Sequence, residues 1–254
     1  MSPALISFEG FTLALFTWTR PPSTAFVAAL RVLKNRAAHS HLSILTGSMP
    51  SFQDTGSRDN SSAVAGLRTD TPLEGRIVRV EPIAERHREG LRAAAELEPQ
   101  IHRYTGMYSL GFERWFDEAL GSETEVPFAV LVDGRPVGST RYLNIEPFHR
   151  RTEIGWTWLE RIHWGTGANI ETKYLLLRNA FENWGAMRVE FKTDARNLRV
   201  RGALLGIGAT FEGIFRKHMV LPDSIRDSAW YAIVDDDWPA AKALLEKKIE
   251  QHAA

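Results

Sequence analysis

From Leu73 onward the hydrophobic positions fall into two rhythms. Arg76–Ile83 alternates apolar and polar residues, the period of two expected for a strand. Ala84 to Leu97 predicts a helix, weakened by Gly90. Within Ser109–Leu120 the residues Phe112, Trp115, Phe116 and Ala119 repeat at helical spacing, predicting an amphipathic helix with Ser109 as its N-cap. Val126–Val132 and Arg135–Asn144 read as two strands joined by the turn Asp133-Gly134. Arg151–Leu159 predicts a further strand, and Asn169–Trp184 the longest helix, with Ile170, Tyr174, Leu177, Phe181 and Trp184 on one face. Met187–Thr193 alternates again, Asn197–Gly206 is a short helix, Thr210–Met219 and Asp227–Val234 are strands, and Trp238–Gln251 is a closing charged helix. The order β-α-α-β-β-β-α-β-α-β-β-α predicts an α/β sheet of mixed direction with helices on both faces.

Ahead of this pattern the chain changes character. Ser40–Asp70 is rich in Ser, Gly, Asn and Asp and reads as a linker of low order. Residues 1–70 are therefore expected to be a poorly ordered tail and linker, and 71–254 one domain. Phe11–Gln53 contains no Asp or Glu, and Phe26, Leu30, Leu33 and Ala37 recur at helical spacing, so Thr24–Ala38 fits a basic amphipathic helix. That composition resembles a mitochondrial presequence; it equally fits a disordered tail, or upstream sequence translated from an early start codon. The location expected is cytoplasmic, with mitochondrial as the alternative.

Composition narrows the function classes. With 254 residues, 44% of them hydrophobic, the chain can bury a sizeable core, and no apolar run approaches membrane-spanning length. The 31 basic and 31 acidic residues balance, giving no global reason to expect nucleic acid or an anionic membrane as partner. There are no cysteines, which removes disulfides, thiol nucleophiles and thiolate metal sites. The eight histidines, His39 and His41 among them, match no metal-binding spacing, and no metal is expected.

Chemistry concentrates in Thr152–Asn169, TEIGWTWLERIHWGTGAN, where a strand runs through Trp164-Gly165-Thr166-Gly167-Ala168-Asn169 straight into the long helix. Glycines at 165 and 167 let the backbone turn tightly and present N–H groups to an anion, reinforced by the free amides and dipole of the helix start. The spacing is neither a P-loop nor a dinucleotide fingerprint, whose third glycine would fall at Ile170. A tight turn without ligand is the plain alternative.

Glu153-Ile-Gly-Trp156, then Trp164-Gly-Thr-Gly167 opening a helix, then a strand with Asn197 after it, then Gly208-Ala-Thr-Phe-Glu-Gly213, together resemble the GNAT acetyltransferases, and within them the RimJ and RimL branch. The resemblance runs from about Leu73 to Trp238. It implies a splayed, mostly antiparallel sheet whose two parallel strands, 151–159 and 187–193, part to admit the pantetheine arm of acetyl-CoA. It implies that the backbone of Trp158 and Glu160 bonds that arm, that Ile162, Gly165, Thr166, Gly167, Ala168 and Asn169 hold the pyrophosphate, and that Asn197 lies near the sulfur end. Two positions depart from the pattern: Ile162 stands where many members have Gln or Arg, and Val200 where the branch often has Ser. The basic group Arg196, Arg199 and Arg201 fits the remaining phosphates or, equally, a solvated helix surface.

Acetyl transfer to an amine requires a base to take the ammonium proton and an acid for the leaving thiolate. Glu153 is the candidate base, expected on the strand face opposite Ile154, Trp156 and Trp158; the plain alternative pairs it with Arg150 or Arg151. Ser228 and Tyr231 are the candidate acids, and His163 is a secondary candidate base. The acceptor site is expected from Ala84–Leu120, with His102, Tyr104, Tyr108 and Trp115. The expected partner is the α-amine of a protein or peptide, the enzyme being a monomer or homodimer. Alternatives are acetylation of a small amine (aminoglycoside, polyamine or amino acid) and a CoA-binding module without catalysis.

Overall fold

The computed structural model describes residues 66–69, 71–99, 110–221 and 224–253, together with the backbone of three short strands nearer the N-terminus. The chain divides into two units, Met1–Ser57 and Arg58–Ala254. In the first, β1 (Ala4–Phe8) pairs antiparallel with β2 (Phe11–Leu15) and with β3 (Leu45–Thr46), strands the sequence pattern did not predict. The helix expected over 24–38 lies outside the described residues.

The second unit is one eight-stranded sheet. Its strands are β4 (Leu73–Glu74), β5 (Arg79–Pro82), β6 (Val126–Val132), β7 (Arg135–Glu146), β8 (Arg151–Leu159), β9 (Arg188–Asp194), β10 (Thr210–Val220) and β11 (Ile225–Val234), in the spatial order β10-β11-β9-β8-β7-β6-β5-β4. Its helices are α1 (Arg88–Glu96), α2 (Phe112–Leu120), α3 (Ala168–Arg178), α4 (Leu198–Gly206) and α5 (Trp238–His252). Every strand pairing is antiparallel except β8 with β9. The mixed, mostly antiparallel α/β sheet expected from the sequence is thus the fold.

A large core on one face joins Val80, Phe128, Tyr142, Ile154 and Phe191 of the sheet to Leu175–Leu177 of α3 and Leu245 of α5. A smaller cluster on the other face joins Ala129, Leu131 and Trp158 to Leu91 of α1 and Trp115 and Phe116 of α2. Leu67 is fully buried in the large core, so the apolar packing begins ahead of residue 71.

Several boundaries differ from the sequence pattern for local reasons. The strand expected from Arg76 begins only at Arg79, because the backbone N–H groups of Arg76, Ile77 and Val78 donate to the buried carboxylate of Glu171 at 2.8, 2.6 and 2.7 Å. The second helix starts at Phe112 with Gly111 as its N-cap, and Ser109 lies outside the described residues. The long helix ends as α at Arg178 and continues to Trp184 as a π turn.

Candidate active site

β8 and β9 pair only at Arg151↔Arg188, Thr152↔Val189 and Glu153↔Glu190, and beyond Glu153 the strands part. On its other side β8 remains laddered to β7, with a register shift between Ser139 and Arg141. The extra residue falls at Trp156, whose φ of 51° lies in the left-handed region. This bulge resets the alternation. Ile154 faces the large core, whereas Trp156 and Trp158 pack into the cluster under α1 and α2. The three were expected on one face; only Ile154 is opposite Glu153, and both tryptophans share its side.

Glu153 is 1% exposed. Its Oε2 accepts from Asn144 Nδ2 at 2.8 Å and from Lys192 Nζ at 2.9 Å, and Oε1 receives neither bond. Burial raises the carboxyl above its ordinary range, against the pull of Lys192 and the two hydrogen bonds. Its ion-pair partner is therefore Lys192 of β9 and not Arg150 or Arg151; Arg151 lies 3.5 Å from Glu190. On the opposite side of the parting strands stands a group the sequence reading missed. Lys173 of α3 is 5% exposed and donates to Thr157 Oγ1 at 2.6 Å, and its ammonium lies 5.6 Å from the Phe191 ring centroid. Burial pushes it down to about 7.

After β8, a 3-10 turn over Arg161–His163 leads to Gly165 (φ 78°) and Gly167 (φ 85°), the N-cap of α3. These left-handed values are why glycine occupies both positions. A Cβ on Gly165 would meet nothing within 4 Å, whereas one on Gly167 would lie 2.7 Å from His252 Cβ and 2.8 Å from Ile77 Cδ1. Gly167 is thus required by packing, and Gly165 faces open space. The N–H of Glu171 bonds Gly167 O, and the amides of Ala168, Asn169 and Ile170 before it have no intrahelical acceptor. Thr166 Oγ1 donates to His163 O at 2.9 Å. Ile162 is 76% exposed, so its side chain seals nothing.

Other predicted residues are placed as follows. Glu160 is not available through its backbone: its N–H donates to Val137 O at 2.8 Å and its carbonyl accepts from His163 N at 3.0 Å. In an antiparallel ladder Trp158 shares that orientation toward β7, and the peptide groups turned toward β9 are those of Leu159, whose carbonyl accepts from Trp164 Nε1 at 3.0 Å. The Glu160 carboxylate grips Arg135, and His163 packs beside that pair. Asn197 caps α4, its Oδ1 accepting from Val200 N at 3.2 Å. Of the three arginines, Arg196 pairs with Asp194, and Arg201 donates to Tyr231 Oη at 3.0 Å and Ala195 O at 3.1 Å. Arg199 stacks 3.8 Å over the Trp164 ring of the glycine loop, which makes it the arginine nearest that loop's chemistry.

Ser228 and Tyr231 point to opposite faces, as their spacing of three along β11 requires. Ser228 Oγ lies 3.0 Å from His218 Nδ1 and accepts from Arg226 Nε at 3.1 Å, whereas Tyr231 packs in the large core. His102, Tyr104 and Tyr108 lie outside the described residues; Trp115 is buried in the cluster under α2.

Parallel strands that part beside a buried carboxylate, followed by a glycine turn and a helix with free first-turn amides, define an acyl-CoA-dependent transferase site. A family model described as an acetyltransferase (GNAT) domain matches residues 78–210. A GCN5-related N-acetyltransferase from Brucella melitensis is 31% identical, with 72% of this chain and 87% of that chain covered and a TM-score of 0.68. RimJ of Mycobacterium smegmatis, solved with CoA-disulfide, is 21% identical over 70% of this chain and 92% of its own, with a TM-score of 0.61. RimL, a ribosomal L7/L12 α-N-protein acetyltransferase solved with coenzyme A, is 16% identical over 66% and 99%, with a TM-score of 0.58. The chain belongs to the GNAT acetyltransferases, and these last two likenesses show the fold alone. No curated protein matches it.

The residues present fit coenzyme A. The open side of Gly165, the three free amides of α3 and Arg199 form a cradle for phosphates. Beyond Glu153 the facing edges of β8 and β9 are no longer paired with each other, and the peptide groups of Leu159 border that opening, where an extended arm could be bonded.

Proposed function

We propose that the protein transfers the acetyl group of acetyl-CoA to the α-amine of a protein or peptide. The observation that carries this reading is the position of Glu153, a buried carboxylate at the last paired residue before β8 and β9 separate, whose bonds to Asn144 and Lys192 both fall on Oε2 and leave Oε1 without a partner among the described residues. Acetyl-CoA supplies the activated acyl group. The amides of Gly165, Gly167, Ala168 and Asn169 and the guanidinium of Arg199 would hold its phosphates, and the peptide groups of Leu159 and the amide of Asn197 would face its arm.

Glu153 takes the ammonium proton through Oε1. Burial raises its basicity, and Lys192 and Asn144 fix the carboxylate plane from Oε2. Tyr231 is the group for the thiolate side. It lies under α4 with Asn197, and because Arg201 donates to its oxygen, its own proton is free to be given away. Ser228, on the face of α1 and α2, belongs to the acceptor side, where His218 can receive its proton.

The RimJ and RimL likenesses favour a protein α-amine over a drug or polyamine. Thiol release from acetyl-CoA, measured against peptides with free amino termini, polyamines, aminoglycosides and amino acids, tests this reading. Peptides should give the highest kcat/KM; a polyamine ahead of every peptide would overturn it.

A further inference from the structure

On the face that carries Glu153, Arg141 of β7 stands directly across from Gly155 of β8. Opposed residues in an antiparallel ladder share a face, as do residues two apart, so Arg141 and Glu153 look the same way from neighbouring strands. Oε1 of Glu153, the oxygen without a partner, lies 3.0 Å from where a Cβ of Gly155 would be. The acceptor oxygen of the base therefore overhangs the glycine that Arg141 faces.

Arg141 is 4% exposed, and only part of its guanidinium is used. Nη1 donates to Glu125 Oε2 at 2.6 Å, while Nε and Nη2 are buried without a partner among the described residues. Those two nitrogens form one complete edge of the guanidinium, whose two N–H groups can converge on the two lone pairs of a single carbonyl oxygen or run parallel to the two oxygens of a carboxylate. Trp115 Nε1 is another buried donor without a partner among the described residues, and its ring centroid lies 5.5 Å from the guanidinium. Native interiors rarely leave such donors unmade. The Trp156 ring centroid lies 4.7 Å from the same guanidinium; Trp156 is partly exposed and held in the left-handed region, a strained conformation of the kind that collects at ligand sites.

We infer that the free edge of Arg141 binds the carbonyl oxygen next to the acceptor's amine, reached from the Trp156 side, so that the site takes a peptide amino terminus and not a bare alkylamine. This rests on the reading of Glu153 as the base. Because Glu125 already balances the charge of Arg141, the edge offers two donors more than a net cation, which favours a neutral peptide carbonyl over a free carboxylate.

Calorimetric titration of the full chain saturated with coenzyme A tests this, using an uncharged tetrapeptide with a free amino terminus, butylamine and alanine. The wild type should bind the tetrapeptide roughly 10–100-fold tighter than butylamine, the worth of hydrogen bonds to a charged donor. Arg141→Lys, which keeps the charge for Glu125 but loses the planar edge, should erase most of that difference and leave coenzyme A affinity within about twofold. Equal binding of tetrapeptide and butylamine by the wild type would overturn the inference, as would a parallel loss of coenzyme A in Arg141→Lys. Glu125→Gln provides an independent arm: uncovering the charge should move preference from the tetrapeptide toward alanine, and an unchanged ranking counts against the assignment. Tetrapeptide binding without thiol release would refute acetyl transfer while sparing Arg141; thiol release with every amine alike would do the reverse.

Discussion

On the face covered by α3 and α5, the sheet presents Val80, Phe128, Tyr142, Ile154 and Phe191 to a continuous apolar core, and α3 adds two buried charges there, Glu171 and Lys173. Under α1 and α2 the apolar cluster is small, and beside it the strands carry Arg141–Glu125, Glu153–Lys192 and Asp194–Arg196. One strand serves both faces because the bulge at Trp156 shifts its alternation by one residue between Glu153 and Trp158. The comparison teaches that stability and acceptor chemistry are largely separated by the plane of the sheet, with the glycine turn after β8 joining them.

The largest expected break in that separation is Glu153→Gln, which should lower kcat roughly 10²–10⁴-fold while leaving coenzyme A affinity nearly unchanged. The loss should shrink at high pH, where more of the amine is neutral. In the wild type, kcat should fall as pH drops through a carboxyl pKa above the ordinary value of 4.5, because the base must be ionised. A pH–rate profile of mutant and wild type that coincide would remove Glu153 from the mechanism.

Next in size are the two glycines of the turn. Gly165→Val should weaken coenzyme A roughly tenfold or more, through lost bonds to a charged phosphate, read as a smaller ligand-induced Tm shift. Gly167→Ala should instead lower the Tm of the free protein, because its Cβ would run into His252 and Ile77. The reverse pattern would show that the phosphates do not use Gly165.

Lys173→Met should raise Tm by a few degrees, about the effect of 1 kcal/mol or more in a domain of this size. Burial holds Lys173 at about 7 in the folded protein, below the ordinary 10.5 of a lysine, so the unfolded chain binds more protons between those pH values. The penalty is thus complete below pH 7 and fades toward pH 10.5, and the gain should be larger at pH 6 than at pH 9. The smallest effect concerns the first unit. We propose that a chain beginning at Arg58 keeps the Tm and coenzyme A binding of the full chain, whereas one beginning at Thr71 loses the buried Leu67 and about 1.5–3 kcal/mol with it.

Much of the fold was legible because helical spacing reports directly which side of an element is buried, as for Trp115, Phe116 and Ala119 of α2, and because a short apolar run such as Val126–Val132 marks a strand covered on both faces. The glycine turn was legible because left-handed backbone leaves a residue signature. The bulge left none: tryptophan has no preference for φ 51°, and only the pairing of β7 with β8 imposes it. Lys173 carried no such signal, because the apolar face predicted for its helix runs through Ile170, Tyr174 and Leu177 and leaves position 173 off it. The unbroken run Leu175–Leu177 was the available sign that α3 is covered on more than one side. Arg141 occupies a polar place in an alternating strand, and nothing local distinguishes an exposed guanidinium from a buried one.

Gly167 is pressed by Ile77 from just before β5 and by His252 from the last turn of α5, residues from opposite ends of the folded unit. The geometry of the glycine turn is therefore set by chain segments 175 residues apart, both of which must dock before the turn can close. Any change at the C-terminal end, such as an appended peptide that unwinds the last turn of α5, would register first in coenzyme A affinity and only later in the stability of the core.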